Sequence, residues 1–299
     1  MKAAAPMSAR SQRFVAATDF SQHALWAAQR AALLAAQNGA QLELLHVVAE
    51  GPLRALRELL KARPKGVADL VDDLRQALSE AAAALAKATG ASVAPRVEIG
   101  EVLDVIAQEC DRVNLLVLGA RGTSPLRDAI LGTTAERLLS RCSRPMLIVK
   151  RRPARAYERV VVGLDFSAVS EHALRAALRL APQGVVVAVH AYDVPFEGKL
   201  RLAGVERTTI DAYQYRAAEK AIAKIRAVGE RAAGTPARVT HKVGHGYAPH
   251  LILKQEQMRR ADLIALGKHK RPVLQEFLLG RVTRHVLADS RSDVLVVPA

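Results

Sequence analysis

The chain has 299 residues, half of them hydrophobic, and carries 44 Lys and Arg against 29 Asp and Glu, a formal charge of +15. That length favours two domains of about 150 residues, and the apolar share gives each a core to bury. No run of about 20 apolar residues occurs, which excludes a membrane-spanning helix, and two cysteines make neither a disulfide framework nor a metal motif, so a reducing cytoplasm is the expected location.

Met1 to Gln12 lacks the apolar run of a secretory signal and reads as a frayed tail. "RFVAATD" then reads as a short strand ending at Asp19. "SQHALWAAQRAALLAAQNG" is a helix capped near Ser21 and stopped at Gly39. "AQLELLHVVA" alternates and then turns apolar, as a strand does. A long amphipathic helix ends at Gly90; "SVAPRVEIG" is a strand and "EVLDVIAQECDR" a helix. "NLLVLG" is a buried strand, "TTAERLLSRC" a helix and "PMLIVK" the last strand. Strands alternating with crossover helices predict an open parallel sheet covered on both faces.

The pattern then repeats. "FVAATDFS" from Phe14 matches "VVVGLDFS" from Val160, "NLLVLGARG" from Asn114 matches "DLIALGKHK" from Asp262, and "RPMLIVKR" from Arg144 matches "SDVLVVPA" from Ser292. A domain-sized period means a duplicated domain. The expected fold class is α/β: two tandem open parallel five-stranded sheets, Rossmann-like, over residues 1–150 and 155–299. The linker Arg151–Glu158 is charged and interrupted by Pro153. The last strands of the halves are apolar edges, and their pairing into an intramolecular pseudo-dimer would remove that liability; a homodimer of whole chains is a further level left open.

Ligands in such sheets bind beyond the carboxyl ends of the strands, at the topological switch point. Asp19 and Gly119 both fall there. From Gly119 the first half spaces its glycines G-x2-G-x9-G-T, with Gly122, Gly132, Thr133 and Thr134. Glycines let a ligand approach the backbone, and the unpaired N–H groups and dipole of a helix starting at Gly132 favour an anion. The second half keeps Asp165, Gly267 and Gly280, but Lys270 replaces the middle glycine and Arg281 the threonine. If that middle position needs positive φ, a lysine there is strained. Two readings stay open for it: a degenerate, ligand-free site, or an altered anion site using Lys268, Lys270 and Arg281.

"DFS" after the first strand, "LLHVV" in the second and the glycine motif after the fourth resemble the nucleotide-binding pattern of the universal stress proteins, twice over. The resemblance implies ATP or ADP, alone or with Mg, in the N-terminal half. It implies Asp19 and the backbone near Val47 at adenine, and Ala17, Leu118 and Gly119 along the ribose, with Thr18 in the same set. Arg121, Gly122, Gly132, Thr133 and Thr134 would surround the phosphates. The function implied is a stress and signalling module with an unidentified protein partner; the alternative is a ligand-independent protein-binding adaptor.

Other constellations carry less. The basic excess is spread over both halves, 21 Lys and Arg against 15 Asp and Glu up to Arg152 and 23 against 14 beyond it. That is no concentrated stripe, and aromatic residues are 4% of the chain, so no specific nucleic-acid partner is expected. His241, His245 and His250 read as solvated or capping residues rather than zinc ligands, with His245 opening a helix in register with Glu101. His46 and His190 hold equivalent strand positions and read as structural. Cys110 and Cys142 read as buried helix residues. No P-loop or G-x-G-x-x-G motif appears, and no general base stands by the glycine loop, so at most slow ATP hydrolysis is expected. Phe196–Thr208 has no clear period and reads as a mobile cover over the second rim.

Overall fold

A computed structural model describes residues 12–59, 65–122, 131–233, 238–269 and 279–299. The expected N-terminal tail up to Ser11 and the Lys270 position lie outside the described residues.

The N-terminal half runs β1 (Arg13–Ala17), α1 (Gln22–Asn38), β2 (Gln41–Ala49), α2 (Glu50–Leu59), α3 (Lys65–Thr89), β3 (Ser92–Gly100), α4 (Val102–Cys110), β4 (Leu115–Gly119), α5 (Thr133–Arg141) and β5 (Met146–Val149). The second half runs β6 (Arg159–Gly163), α6 (Ala168–Leu180), β7 (Val185–Tyr192), α7 (Glu197–Leu202), α8 (Arg207–Ala233), β8 (Val239–His245), α9 (Ala248–Arg259), β9 (Leu263–Lys268), α10 (Arg281–Asp289) and β10 (Asp293–Pro298). Local chemistry sets the ends of α1: the Ser21 hydroxyl accepts from the Ala24 N–H, and Gly39 closes the helix at φ +62°. Ser167 caps α6 in the same way through Ser170.

The two halves do not form separate sheets. Ten strands make one sheet in the order β3-β2-β1-β4-β5-β10-β9-β6-β7-β8. Every pairing is parallel except β5 against β10, where Met146, Leu147 and Ile148 face Val296, Leu295 and Val294. These apolar last strands are almost fully buried in the sheet centre, while the more polar β3 and β8 form the outer edges. Two apolar layers cover the sheet, one on each face. No helix among the described residues is long and apolar enough to cross a membrane.

The joint between the halves holds more than apolar strands. Tyr157, in the segment read as a charged linker, is 1% exposed. Its hydroxyl donates to the Asp293 carboxylate at 2.6 Å. The Arg30 guanidinium lies 4.0 Å over the Tyr157 ring and 3.4 Å from Asp293. Arg30 also donates to the Arg155 carbonyl at 2.6 Å, and the Lys150 N–H donates to Asp293 at 2.9 Å. Burial pushes the Asp293 carboxyl up; the Tyr157 hydrogen bond and Arg30 oppose it. Burial, helped by Asp293, holds the Tyr157 hydroxyl protonated well above its ordinary range.

Two lysines cross the joint in opposite directions. Lys150 follows β5 and its ammonium donates to the Leu287 and Ser290 carbonyls at 2.7 and 2.8 Å, at the end of α10. Lys268 ends β9 and donates to the Leu139 and Ser140 carbonyls at 2.5 and 3.0 Å, at the end of α5. A cation satisfies carbonyls that a helix end leaves unpaired and meets the negative pole of its dipole.

Candidate functional site

The chain leaves β1 toward β2 on one side and returns through β3 to β4 on the other, so the switch point lies between β1 and β4. A cavity of about 240 Å³ opens there, beyond the carboxyl ends of both strands. Its lining includes Ala17, Thr18, Asp19, Val47, Leu118, Gly119, Arg121, Gly122, Gly132, Thr133 and Thr134, all eleven residues singled out in the sequence. Leu45, Val102 and Ile106 add apolar wall. The wall is therefore largely apolar and also carries a carboxylate, a guanidinium and the start of α5.

"DFS" builds the strand exit. The Thr18 N–H still bonds the Leu45 carbonyl at 2.8 Å, as a strand residue would. Phe20 then turns at φ +60°, a costly region for a bulky residue. Its N–H donates to the Thr18 hydroxyl, and the Ser21 N–H donates to Asp19 at 3.0 Å. His46 secures the turn: its Nδ1–H donates to the Thr18 carbonyl at 2.8 Å and its ring lies 4.8 Å from the Phe20 ring. The second half repeats the device with Phe166 at φ +65° and His190 on the Leu164 carbonyl at 2.8 Å. The equivalent histidines are structural, as their positions suggest.

The glycines work by space rather than by positive φ, which corrects the expectation from their spacing. Gly119, Gly122 and Gly132 are absent from the positive-φ residues. A Cβ on Gly119 would stand 2.7–2.8 Å from the backbone of His23 and Ala24, so this glycine lets α1 pack against β4. Gly267 repeats the role against Val169 and Ser170. A Cβ on Gly122 would stand 2.6 Å from the Asp19 carboxylate. Strain at φ therefore gives no reason for a glycine at position 122; crowding of Asp19 does. Gly132 donates its N–H to the Ala120 carbonyl and precedes α5 without a side-chain cap among the described residues. The first N–H groups of α5 thus face the cavity beside the Thr133 and Thr134 hydroxyls, a cradle that suits an anionic group.

The second cleft, about 350 Å³, is lined by Asp165, Gly267, Gly280 and Arg281 among others. Its aspartate is engaged by a residue the sequence reading passed over. His269 stands where the first half has Arg121, with Nε2 2.7 Å from the Asp165 carboxylate. Ser167 adds a hydroxyl bond at 2.5 Å and an N–H bond at 3.0 Å. Burial pushes the Asp165 carboxyl up, but bonds from Ser167, His269 and Ser170 outweigh it and hold the group well below the usual carboxylate range. The aligned "GAR" and "GKH" triplets carried the signal for His269. Lys268, weighed as an anion ligand, has its ammonium on the α5 carbonyls instead, and burial lowers its pKa.

Three other expectations change. His245 ends β8 rather than opening a helix, and its ring lies 2.9 Å from Glu197; Tyr247 is the residue that precedes α9. Phe196–Thr208 is largely helical, with α7 and the start of α8. Cys110 and Cys142 are disulfide-bonded, with Cα atoms 5.9 Å apart. The two lie at the ends of α4 and α5, 32 residues apart, so neither spacing nor composition announced the pair. No group of three or more metal-binding side chains occurs among the described residues.

Fold and cleft define a duplicated, doubly wound α/β protein with a rim cavity at the switch point of each half. The chain belongs to the universal stress protein family: the profile of the Universal stress protein family matches residues 10–150 and again 156–298. A universal stress protein of Mycolicibacterium smegmatis is 25% identical over 288 residues, covering 91% of this chain and 90% of its own length. A universal stress protein of Mycobacterium tuberculosis is 30% identical over 240 residues, 75% of this chain and 71% of the relative. The crystal structure of a universal stress protein from Archaeoglobus fulgidus has the same fold over 97% of this chain and 99% of its own, with a TM-score of 0.66 at 17% identity.

Proposed function

We propose that the N-terminal half binds one adenine nucleotide, ATP or ADP, and that the second half binds it far more weakly. The observation that carries this reading is the convergence of all eleven residues on one cavity. The residues present suit such a ligand at both ends. Leu45, Val47, Leu118 and Ile106 offer apolar faces for a base, with the Asp19 carboxylate to accept from its exocyclic amine. Arg121 and the start of α5 offer charge and N–H donors to phosphate. The space above Gly122, which a Cβ would take from Asp19, is a cradle that only glycine leaves open.

In the second half His269 takes the place of Arg121, with Nε2 2.7 Å from Asp165, and Arg281 stands where Thr133 supplies a hydroxyl. The chain acts as a nucleotide-responsive signalling module in which one half carries the ligand. Calorimetric titration of the intact chain with ATP and ADP tests this. One site per chain is expected. Two equal sites, or no heat and no retained nucleotide, overturns the reading.

A further inference from the structure

The helices that frame the first cleft are joined covalently at their far ends. α4 contributes Val102 and Ile106 to the cavity wall, and α5 contributes Thr133, Thr134 and Ala135. Cys110 ends α4 and Cys142 closes α5, and these two are disulfide-bonded. The cysteines sit in the same buried cluster as Ile106, Ala135 and Leu138. The polar ties beside it are exposed: the Arg141–Asp104 pair, which solvent screens, and the Ser143 hydroxyl, which donates to Asp111 one residue beyond each cysteine.

The second half closes the same joint without sulfur. Counted from the first residues of α4 and α9, Cys110 corresponds to Glu256. Counted from α5 and α10, Cys142 corresponds to Ser290, which likewise follows the last helical residue. The Glu256 carboxylate, 5% exposed, accepts from the Arg291 and Ser292 N–H groups at 2.8 and 2.7 Å. That closure has no redox chemistry. The duplication therefore places a redox-sensitive joint behind the first cleft and an insensitive one behind the second.

We infer that Cys110 and Cys142 form a thiol–disulfide switch that sets the rigidity of the first cleft and, through it, ligand affinity there. The affinity clause rests on the nucleotide reading above; the rigidity clause does not. The exchange partner is a low-molecular-weight disulfide. Cys142 is 5% exposed and Cys110 fully buried, so Cys142 meets it first. The Cys142 thiolate attacks one sulfur of that disulfide and releases one small thiol. The Cys110 thiolate then attacks the Cys142 sulfur of the mixed disulfide and releases the second. Two protein thiols are oxidised, one small disulfide is reduced to two thiols, and the protons follow the departing thiolates. With the bond formed, α4 and α5 move as one unit and the α5 start is held over the cavity. With it broken, α5 is tied to α4 by packing, by the exposed ion pair and by the exposed Ser143–Asp111 bond. Linkage requires ATP to favour the disulfide by the same factor by which the disulfide favours ATP.

The test uses the full chain, oxidised or reduced with glutathione buffers of set ratio, with thiols counted by alkylation and mass spectrometry. Hydrogen exchange reads the joint directly. Reduction is expected to speed exchange in α4 and α5 and to leave α9 and α10 unchanged. Calorimetry with ATP is expected to give an affinity at least about fivefold higher for the oxidised form, the lower end of couplings between sites. ATP is expected to shift the thiol–disulfide equilibrium by that factor. Cys142→Ser should match the reduced protein under either buffer, and Glu256→Gln should leave the redox response intact. Equal exchange in both redox forms, or equal ATP affinities in them, overturns the switch. If ATP binds neither form while exchange at α4 and α5 responds to reduction, the nucleotide reading fails and the redox joint stands.

Discussion

Lysine at position 122 would copy the second half into the first, and the structure says how it should act. A Cβ there would lie 2.6 Å from Asp19 Oδ2, closer than real contacts allow. The carboxylate must move, yet its other oxygen accepts from the Ser21 N–H at 3.0 Å in the turn that starts α1. The added ammonium then has a carboxylate beside it and takes the acceptor that the base would use. Losing one charged hydrogen bond costs roughly 1.5–3 kcal/mol, and crowding at the cavity wall brings the total to about 2–4 kcal/mol. That corresponds to a factor of about 30 to 1000 in ATP affinity. Backbone strain adds nothing, because Gly122 is not a positive-φ residue, so the melting temperature should stay near wild type. Gly122→Ala separates the effects: it keeps the clash and omits the ammonium, and should lose a smaller part of the affinity. Titration calorimetry beside thermal denaturation gives both numbers. Unchanged affinity in Gly122→Lys would refute the argument, and a large drop in melting temperature with weakened binding would mean that the glycine serves the fold instead.

Three further outcomes follow from other parts of the molecule. Replacing His269 with Arg, Lys270 with Gly and Arg281 with Thr together should raise the calorimetric stoichiometry from one ATP per chain toward two; a stoichiometry still at one would show that the second cleft is closed by something else. Arg30→Met strands the buried Asp293 carboxylate without its cation, so chemical denaturation should register a loss of about 3–5 kcal/mol, and a loss below about 1 kcal/mol would exclude a structural role for the pair. The Asp165 carboxyl is held below the usual carboxylate pKa near 4, so its stabilising contribution is fully present above that value and declines as pH falls below it toward the folded pKa; the gap in melting temperature between wild type and Asp165→Asn should be constant above about pH 4 and shrink progressively below it.

The architecture was legible because period and punctuation agreed. Ser21 and Gly39 bounded α1 as capping chemistry requires, and "NLLVLG" and "PMLIVK" announced themselves as buried strands through unbroken apolar runs. The site was legible in composition but not in mechanism. The spacing marked Gly119 and Gly122, yet their reason lies in neighbours about a hundred residues earlier, His23 and Ala24 for one and Asp19 for the other. A local pattern contains no information about which distant backbone will press against it. The same limit hid Tyr157, whose partner Asp293 is 136 residues away, and the Cys110–Cys142 bond. α2 escaped because "EGPLRALREL" follows a strand without a clear cap, and α7 because a six-residue helix is too short to show a period.

The crossing lysines bear on why the two halves share a chain. Lys268 leaves the second cleft's own strand and ends on the last carbonyls of α5, the helix whose first turn faces the first cleft. Lys150 makes the reverse connection to α10. Each helix that opens on a cleft therefore has its opposite pole satisfied by the other half, and Asp293 ties the β5–β10 seam between them to α1 through Arg30. Separate subunits could pair through the same strands, but each would then offer identical clefts to identical ligands. Within one chain the seam is kept while the rims diverge. Arg121 in the first half corresponds to His269 in the second, and Cys110 to Glu256, while the capping serines and the β5–β10 pairing are kept.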